Sequence, residues 1–400
     1  MATENFIILR SKRLSPPTFD NLGPPVGLSG AGNMRGGIPP EAIVIEEADL
    51  TKTERSNLRR DPQIRAVAPL MPMRLVKPVD SVAIGPSDAG AMWGIESVRA
   101  NESPYDGRGI TVAVLDTGID PDHPAFASCE IVQKNFTTES DNDLNGHGTH
   151  CAGTIFGHDV NDARIGIARN VKRALIGKVL GKGGNTSATI AHAIEWAVDG
   201  GANVISMSLG IDFPGYVDFL VNNAGYNINP ATSIALEAYR ANVNLFTELS
   251  RYVEMQGSFG QGTIIVAASG NESKRPEYEI AVAPPAAGTG VVSVGALQKT
   301  NSGLGVAYFS NNQVDIAAPG VNIISAFPGG GLRSMSGTSM ATPHVAGVAV
   351  LWAQRQLEMT GRIENQALLV RILASGTFDS LANGVEEEDV GTGIVQAPLI

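Results

Sequence analysis

Three short stretches of this chain hold a carboxylate, an imidazole and a hydroxyl, each among small residues. Val112-Ala113-Val114-Leu115 runs into Asp116-Thr117-Gly118, and Asn145-Gly146-His147-Gly148-Thr149-His150-Cys151 sets a histidine between two glycines. Ser336-Gly337-Thr338-Ser339-Met340-Ala341-Thr342-Pro343 sets a serine in a tight turn that feeds a helix. A hydroxyl is a poor nucleophile at neutral pH. It needs a base within hydrogen-bond reach, and that base needs a carboxylate to fix its tautomer and stabilise its charged form. Asp116, His147 and Ser339 carry the groups for attack on a carbonyl carbon. Taken singly, each has a plainer role: a turn aspartate, a structural histidine, a helix-capping serine.

Each group needs an element to hold it. Four apolar residues in a row predict a buried strand, and Asp116 then stands at its carboxyl end, where open α/β sheets place their ligand groups. Val345, Ala346, Val348, Ala349 and Leu351 make the helix after Ser339 apolar almost all round, so it must be buried. Pro343 suits its first turn. Ser339 therefore sits at a buried helix N-terminus, where unpaired N–H groups and the positive dipole end favour a developing oxyanion.

From residue 92 onward, short apolar runs alternate with helical patterns, as in a parallel sheet covered on both faces. Strands are expected at 111–115, 174–179, 204–208, 263–268 and 291–295, with a short closing strand at 391–395. Helices are expected around Ile190 to Ala197, over 231–256 and over 338–356. Residues 1–78 form a separate small unit: strands at 6–9, 42–45 and 64–70, and a helix opened by the capping box Thr51-Lys52-Thr53-Glu54. Residues 15–41 are rich in Gly and Pro and predict a long loop, and 79–91 predict a linker.

Composition bounds the rest. The 400 residues suffice for one large core and a smaller domain, and the net charge of −11 argues against a nucleic-acid binder. No apolar run is long enough to span a bilayer, and the N-terminus does not read as a signal peptide, so no membrane partner and a cytoplasmic location are expected. Cys129 and Cys151 allow at most one disulfide; Cys129 reads as a small buried residue.

The chain order Asp, His, Ser is that of subtilisin, against Ser, Asp, His in α/β-hydrolases and His, Asp, Ser in the chymotrypsin class. With Met207-Ser208-Leu209-Gly210, Ala267-Ala268-Ser269-Gly270-Asn271-Glu272 and Ala318-Pro319-Gly320, the chain resembles the subtilisin-like serine peptidases over about residues 93–397. That resemblance implies a three-layer α/β fold with a mostly parallel sheet in residues 92–400, preceded by a small α+β domain. It implies a serine endopeptidase acting on protein or peptide substrates through an acyl-enzyme at Ser339, with no cofactor needed for the chemistry. Asp116 would orient the base, His147 would act as base and then acid, and Asn271 would donate to the oxyanion. Ser208, Leu209 and Gly210 would pair with substrate backbone, with Gly270 beside them in the substrate site, and 283–287 would floor a pocket for a large apolar side chain.

Residues 1–78 resemble the family's inhibitory pro-domain, which makes the chain's own N-terminal unit a partner of the catalytic domain and implies a self-processing precursor. Its tail would lie in the active site, somewhere in 69–90. Where several members hold calcium this chain has Ala125 and Val160; Asp120, Asp122, Asp141 and Asp143 offer another acidic group, either a structural calcium site or a solvated loop. Cys151, four residues after His147, reads as packing; His150 lacks a third metal ligand, and His344 reads as structural. Residues 211–262 exceed what the family core needs and read as an insertion, either bordering the cleft or lying on the surface. A catalytically silent peptide-binding homologue is the competing reading, which the intact Asp116, His147, Ser339 and Asn271 argue against. An esterase would want Gly-x-Ser-x-Gly, which no serine here has.

Overall fold

Val112, Ala113, Val114 and Leu115 can all be buried only if both faces of their sheet are covered. The computed structural model, which describes residues 4–13, 41–84, 92–182, 185–257 and 262–399, has that arrangement. Val112 and Val114 share one apolar cluster with Ile155 of the helix His147–Phe156 and with Val345 and Ala349 of the helix Thr338–Thr360. Ala113 and Leu115, on the opposite face by the two-residue period of a strand, share another with Ile190 of Ser187–Asp199 and with Leu245 and Leu249 of Ile228–Gly257. Three layers result.

The central sheet runs, from one edge, Gly303–Val306, Val291–Thr300, Ile264–Ala268, Val204–Met207, Thr111–Asp116, Arg173–Lys178, Glu130–Asn135, with Ile316–Pro319 also paired to Val291–Thr300. All these pairings are parallel except that of Gly303–Val306. Three adjacent strands, Ile264–Ala268, Val204–Met207 and Thr111–Asp116, end on one side of the sheet, and their carboxyl ends lead into Asn271, Ser208 and Asp116. Sheet order therefore gathers residues that stand far apart in sequence.

The five expected core strands are present to within a residue or two, except that the last runs on to Thr300. The closing strand at 391–395 is not: Gly391 and Gly393 take positive φ (58° and 100°), and among the described residues isolated pairs to Ile316, Ala317 and Thr377 form instead. The hairpin of Ile323–Phe327 with Gly331–Ser336 was not expected. Cys129 is only half-buried.

In the N-terminal unit, Glu41–Leu50, Glu4–Arg13 and Ile64–Pro69 form an antiparallel sheet, and the helix Lys52–Leu58 is closed by the Thr51–Glu54 capping box. Its two faces bury different sets. Phe6, Ile8, Leu50 and Val67 make a core of their own, whereas Ile7, Leu9, Ala66 and Ala68 belong to the cluster that holds Leu245 and Phe246 of the long helix Ile228–Gly257. Asn242 donates to the Pro69 carbonyl at 3.1 Å, and Arg55 and Arg59 approach Glu237 at 3.3 and 3.5 Å. The expected insertion is thus two helices, Phe213–Asn222 and Ile228–Gly257, and the second is the seat of the N-terminal unit.

The linker expectation is corrected in part. Pro72–Leu75 pairs antiparallel with Leu209–Gly210 and with Asn185–Thr186, and Asp80–Ile84 pairs with Gly331–Ser336. Residues 85–91 and the Gly/Pro-rich loop at 15–40 lie outside the described residues. Among the described residues no helix is long and apolar enough to cross a membrane.

Gly347, on the buried helix Thr338–Thr360, lies so close to Ile167 that an added Cβ would stand 2.6 Å from the Ile167 Cβ. Gly347→Ala is expected to cost about 1–3 kcal/mol through overpacking. Urea unfolding in a Ser339→Ala background, which prevents self-digestion, should show a lower midpoint with unchanged slope. An unmoved midpoint would mean that the helix is not packed this tightly.

Candidate active site

Asp116 and His147 are both completely buried, and Asp116 Oδ1 accepts from His147 Nδ1 at 2.7 Å. An ionised carboxylate only accepts, so Nδ1 carries the proton. The glycines beside His147 make this approach possible. Gly146 takes φ 87°, and a Cβ on Gly148 would stand 2.2 Å from the Gly118 carbonyl oxygen and 3.2 Å from the Asp116 Cβ. Asp143 then locks the turn: it accepts from Thr117 Oγ1 (2.9 Å), from Gly146 N (2.8 Å) and from the backbone and hydroxyl of Thr149 (2.9 and 2.7 Å). Thr117 Oγ1 in turn accepts from Gly148 N at 2.9 Å. Thr117 is not singled out in sequence, and Asp143 is considered there only as a calcium ligand or a solvated loop residue, because nothing local marks a loop aspartate as an anchor.

Burial by itself pulls the His147 imidazole down, but the adjacent Asp116 charge reverses the balance, and its pKa stands well above the ordinary 6.5. His150 and His344 are different. Burial drives them down to about 3 and about 4; His150 Nε2 donates to the carbonyls of Ile323 and Arg333, and His344 Nδ1 donates to that of Met340. None of these hydrogen bonds involves Asp116, Ser339 or Asn271. Cys151 is buried with its Sγ 3.4 Å from the Ser339 carbonyl oxygen, and burial pushes its thiol up.

Ser339 is the second residue of its helix and fully buried. Its Oγ donates to the Val76 carbonyl at 2.8 Å, with a longer approach to the Ser208 carbonyl at 3.4 Å. The expected hydrogen bond from Ser339 to the base is not made, and among the described residues His147 Nε2 has no partner. Residues 72–79 run through the cleft, and their Val76 carbonyl is the acceptor that the hydroxyl takes instead.

Asn271 is held by its neighbours. Its Oδ1 accepts from Thr338 N and Oγ1, both at 2.9 Å, which leaves Nδ2 to donate to the Lys77 carbonyl at 2.9 Å. Gly270, at φ 118°, donates its N–H to Thr338 Oγ1 at 3.3 Å. Leu209 and Gly210 pair with Leu75 and Arg74, so the segment expected to bind extended backbone does so with the chain's own. Beside it is a cavity of about 230 Å³ whose walls include Ile211, Asp212, Gly270, Asn271, Glu272 and Ala283. Ala283 lies in that wall as expected, but the two carboxylates make the pocket less apolar than its small residues suggested.

Three of the four aspartates considered for calcium, Asp120, Asp141 and Asp143, hold loops through their side chains. Besides Asp143, Asp120 accepts from Asp122 N and Gly329 N, and Asp141 accepts from Asn135 Nδ2. Among the described residues they are not gathered as a ligand set; the one such group is Asp116, His147 and Cys151.

A buried carboxylate–imidazole pair, a serine at a helix N-terminus and an extended peptide laid past both are the parts of a serine peptidase. The comparisons agree. The model of the subtilase family matches residues 107–393. Similar proteins include a thermostable alkaline protease of Halalkalibacterium halodurans, 30% identical over 342 residues, covering 84% of this chain and 79% of that one. Subtilisin Savinase of Lederbergia lenta is 34% identical over 269 residues (66% and 84%), and an intracellular serine protease of Paenibacillus polymyxa is 34% identical over 274 (65% and 72%). The chain belongs to the subtilase family and is a subtilisin-like serine endopeptidase.

A base must be neutral to accept a proton, so a raised His147 pKa places the rising limb of activity above pH 6.5. In the uncut Ser339→Ala chain, NMR titration should find His147 protonated at pH 6.5 and His150 and His344 neutral. Asp116→Asn should bring the His147 titration down and lower turnover by about 10⁴-fold, as loss of the wrong-tautomer control does in related triads. An unmoved titration would contradict the charge pairing.

Proposed function

We propose that peptide hydrolysis in this chain runs through Ser339, His147, Asp116 and Asn271, and that the N-terminal unit is an inhibitory precursor segment. The observation that carries both parts is the path of residues 72–79. Val76 offers its carbonyl to Ser339 Oγ, Lys77 offers its carbonyl to Asn271 Nδ2, and the backbone before them is paired to Leu209–Gly210 as an added strand. A substrate peptide bound along the same track would have one carbonyl beside the nucleophile and the next one at the Asn271 amide, so the first must turn its oxygen onto that amide for attack.

With the cleft free, Ser339 Oγ attacks the substrate carbonyl while His147 Nε2 takes its proton, and Asp116 stabilises the imidazolium. Asn271 Nδ2 and the Ser339 backbone N–H stabilise the oxyanion. The C–N bond then breaks, His147 gives its proton to the leaving amine, and water attacks the acyl-enzyme by the same route in reverse. Residues 72–79 hold this machinery at rest: Ser339 Oγ donates to Val76 O rather than to His147, and Asn271 is engaged by Lys77.

The Val76–Lys77 bond lies between the two held carbonyls and is the expected processing point. Intact mass over time should show the wild type losing residues 1–76 while Ser339→Ala stays whole. If the wild type stays whole and still cleaves casein, the N-terminal unit is a permanent domain. Asn271→Ala should leave KM nearly unchanged and lower kcat by about 10²–10³-fold, the loss known for one such donor in subtilisin itself. A loss confined to KM would remove Asn271 from the oxyanion site.

A further inference from the structure

The track through the cleft also carries side-chain information. Arg74 pairs with Gly210, two residues before Val76, and its Nη1 reaches Asp212 Oδ2 at 2.9 Å. Asp212 stands two residues beyond Gly210, where the cleft wall passes into the insertion helix Phe213–Asn222. Its Oδ1 accepts from Gly215 N at 2.8 Å as the cap of that helix. One oxygen is thus committed to the helix, and the carboxylate is fixed with the other turned toward the cleft. Glu272, held by Asn311 Nδ2 at 2.8 Å, lines the same cavity and raises the negative charge of this corner.

We infer that Asp212 is a specificity-determining residue, selecting substrates with a basic side chain at the third residue before the cleaved bond. This rests on the peptidase reading above. A substrate that pairs with Leu209–Gly210 in the register of residues 74–75 presents that side chain where Arg74 now lies. A guanidinium or ammonium gains the ion pair; a carboxylate there meets Asp212 and Glu272. The Arg74 and Asp212 side chains are 51% and 29% exposed, so the preference is that of a partly screened pair, about two- to fivefold in kcat/KM. The N-terminal unit uses the same contact to hold its own chain in place.

The test is a set of fluorogenic peptides identical except for Arg, Ala or Glu at that residue, assayed on the processed enzyme and on Asp212→Asn. Asparagine also caps helices, so the variant keeps the helix start while losing the charge. Wild type should prefer Arg over Ala about two- to fivefold, disfavour Glu, and lose both differences at high salt. In Asp212→Asn the Arg-to-Ala ratio should fall to about one. A wild type without Arg preference, or a ratio unchanged in Asp212→Asn, overturns the inference and leaves the peptidase intact. If no peptide is cleaved and a labelled fluorophosphonate fails to modify Ser339, both readings fall together.

Discussion

The hydrogen bond between Asp116 and His147 sets the terms for everything around it. Two ionisable groups with no exposed side-chain surface are costly to bury, and their attraction offsets that cost only when the geometry is good and the remaining polar atoms are served. Here the surroundings supply the geometry. Gly118 and Gly148 let a strand end and a helix start approach within the reach of two side chains, and Asp143, Thr117 and Thr149 pin the intervening turn. Two atoms remain unserved, Asp116 Oδ2 and His147 Nε2. The second is the one that the proposed reaction uses, and a buried polar atom left without a partner is most readily understood where chemistry is to occur.

The cleft pairs the chain's own residues 74–75 with Leu209–Gly210, and in the proposed function a foreign peptide pairs there by the same rule. The N-terminal unit adds an anchor that a short peptide lacks: a sheet face buried against the long helix Ile228–Gly257, with Asn242 holding Pro69 and Glu237 facing Arg55 and Arg59. Tethering raises the effective concentration of a modest set of contacts. The insertion serves both ends of this arrangement, since Asp212 begins it at the cleft and Glu237 and Asn242 lie on the helix that seats the N-terminal sheet.

Local chemistry made much of this legible. The apolar run 112–115, the helix after Ser339, the capping box at Thr51 and the three small-residue motifs are decided by neighbours within a few positions, and strands and helices fall where those patterns place them. Local pattern misleads where a distant partner decides. The segment 80–84 looks like linker by composition, yet the open edge of Gly331–Ser336 makes it a strand. Residues 391–395 look like a strand, yet two glycines with positive φ break it.

For the site, residue types and their order named the reacting groups, because nucleophile, base and carboxylate each need a particular functional group. The sequence alone determined which chemistry is available and which helices and strands carry it. Only the tertiary structure decided the state of that chemistry. That Ser339 donates to Val76 and not to His147, that Thr338 orients Asn271, and that Asp212 meets Arg74 are all contacts between positions at least 67 residues apart. Such contacts depend on sheet order and chain path, which no local pattern encodes.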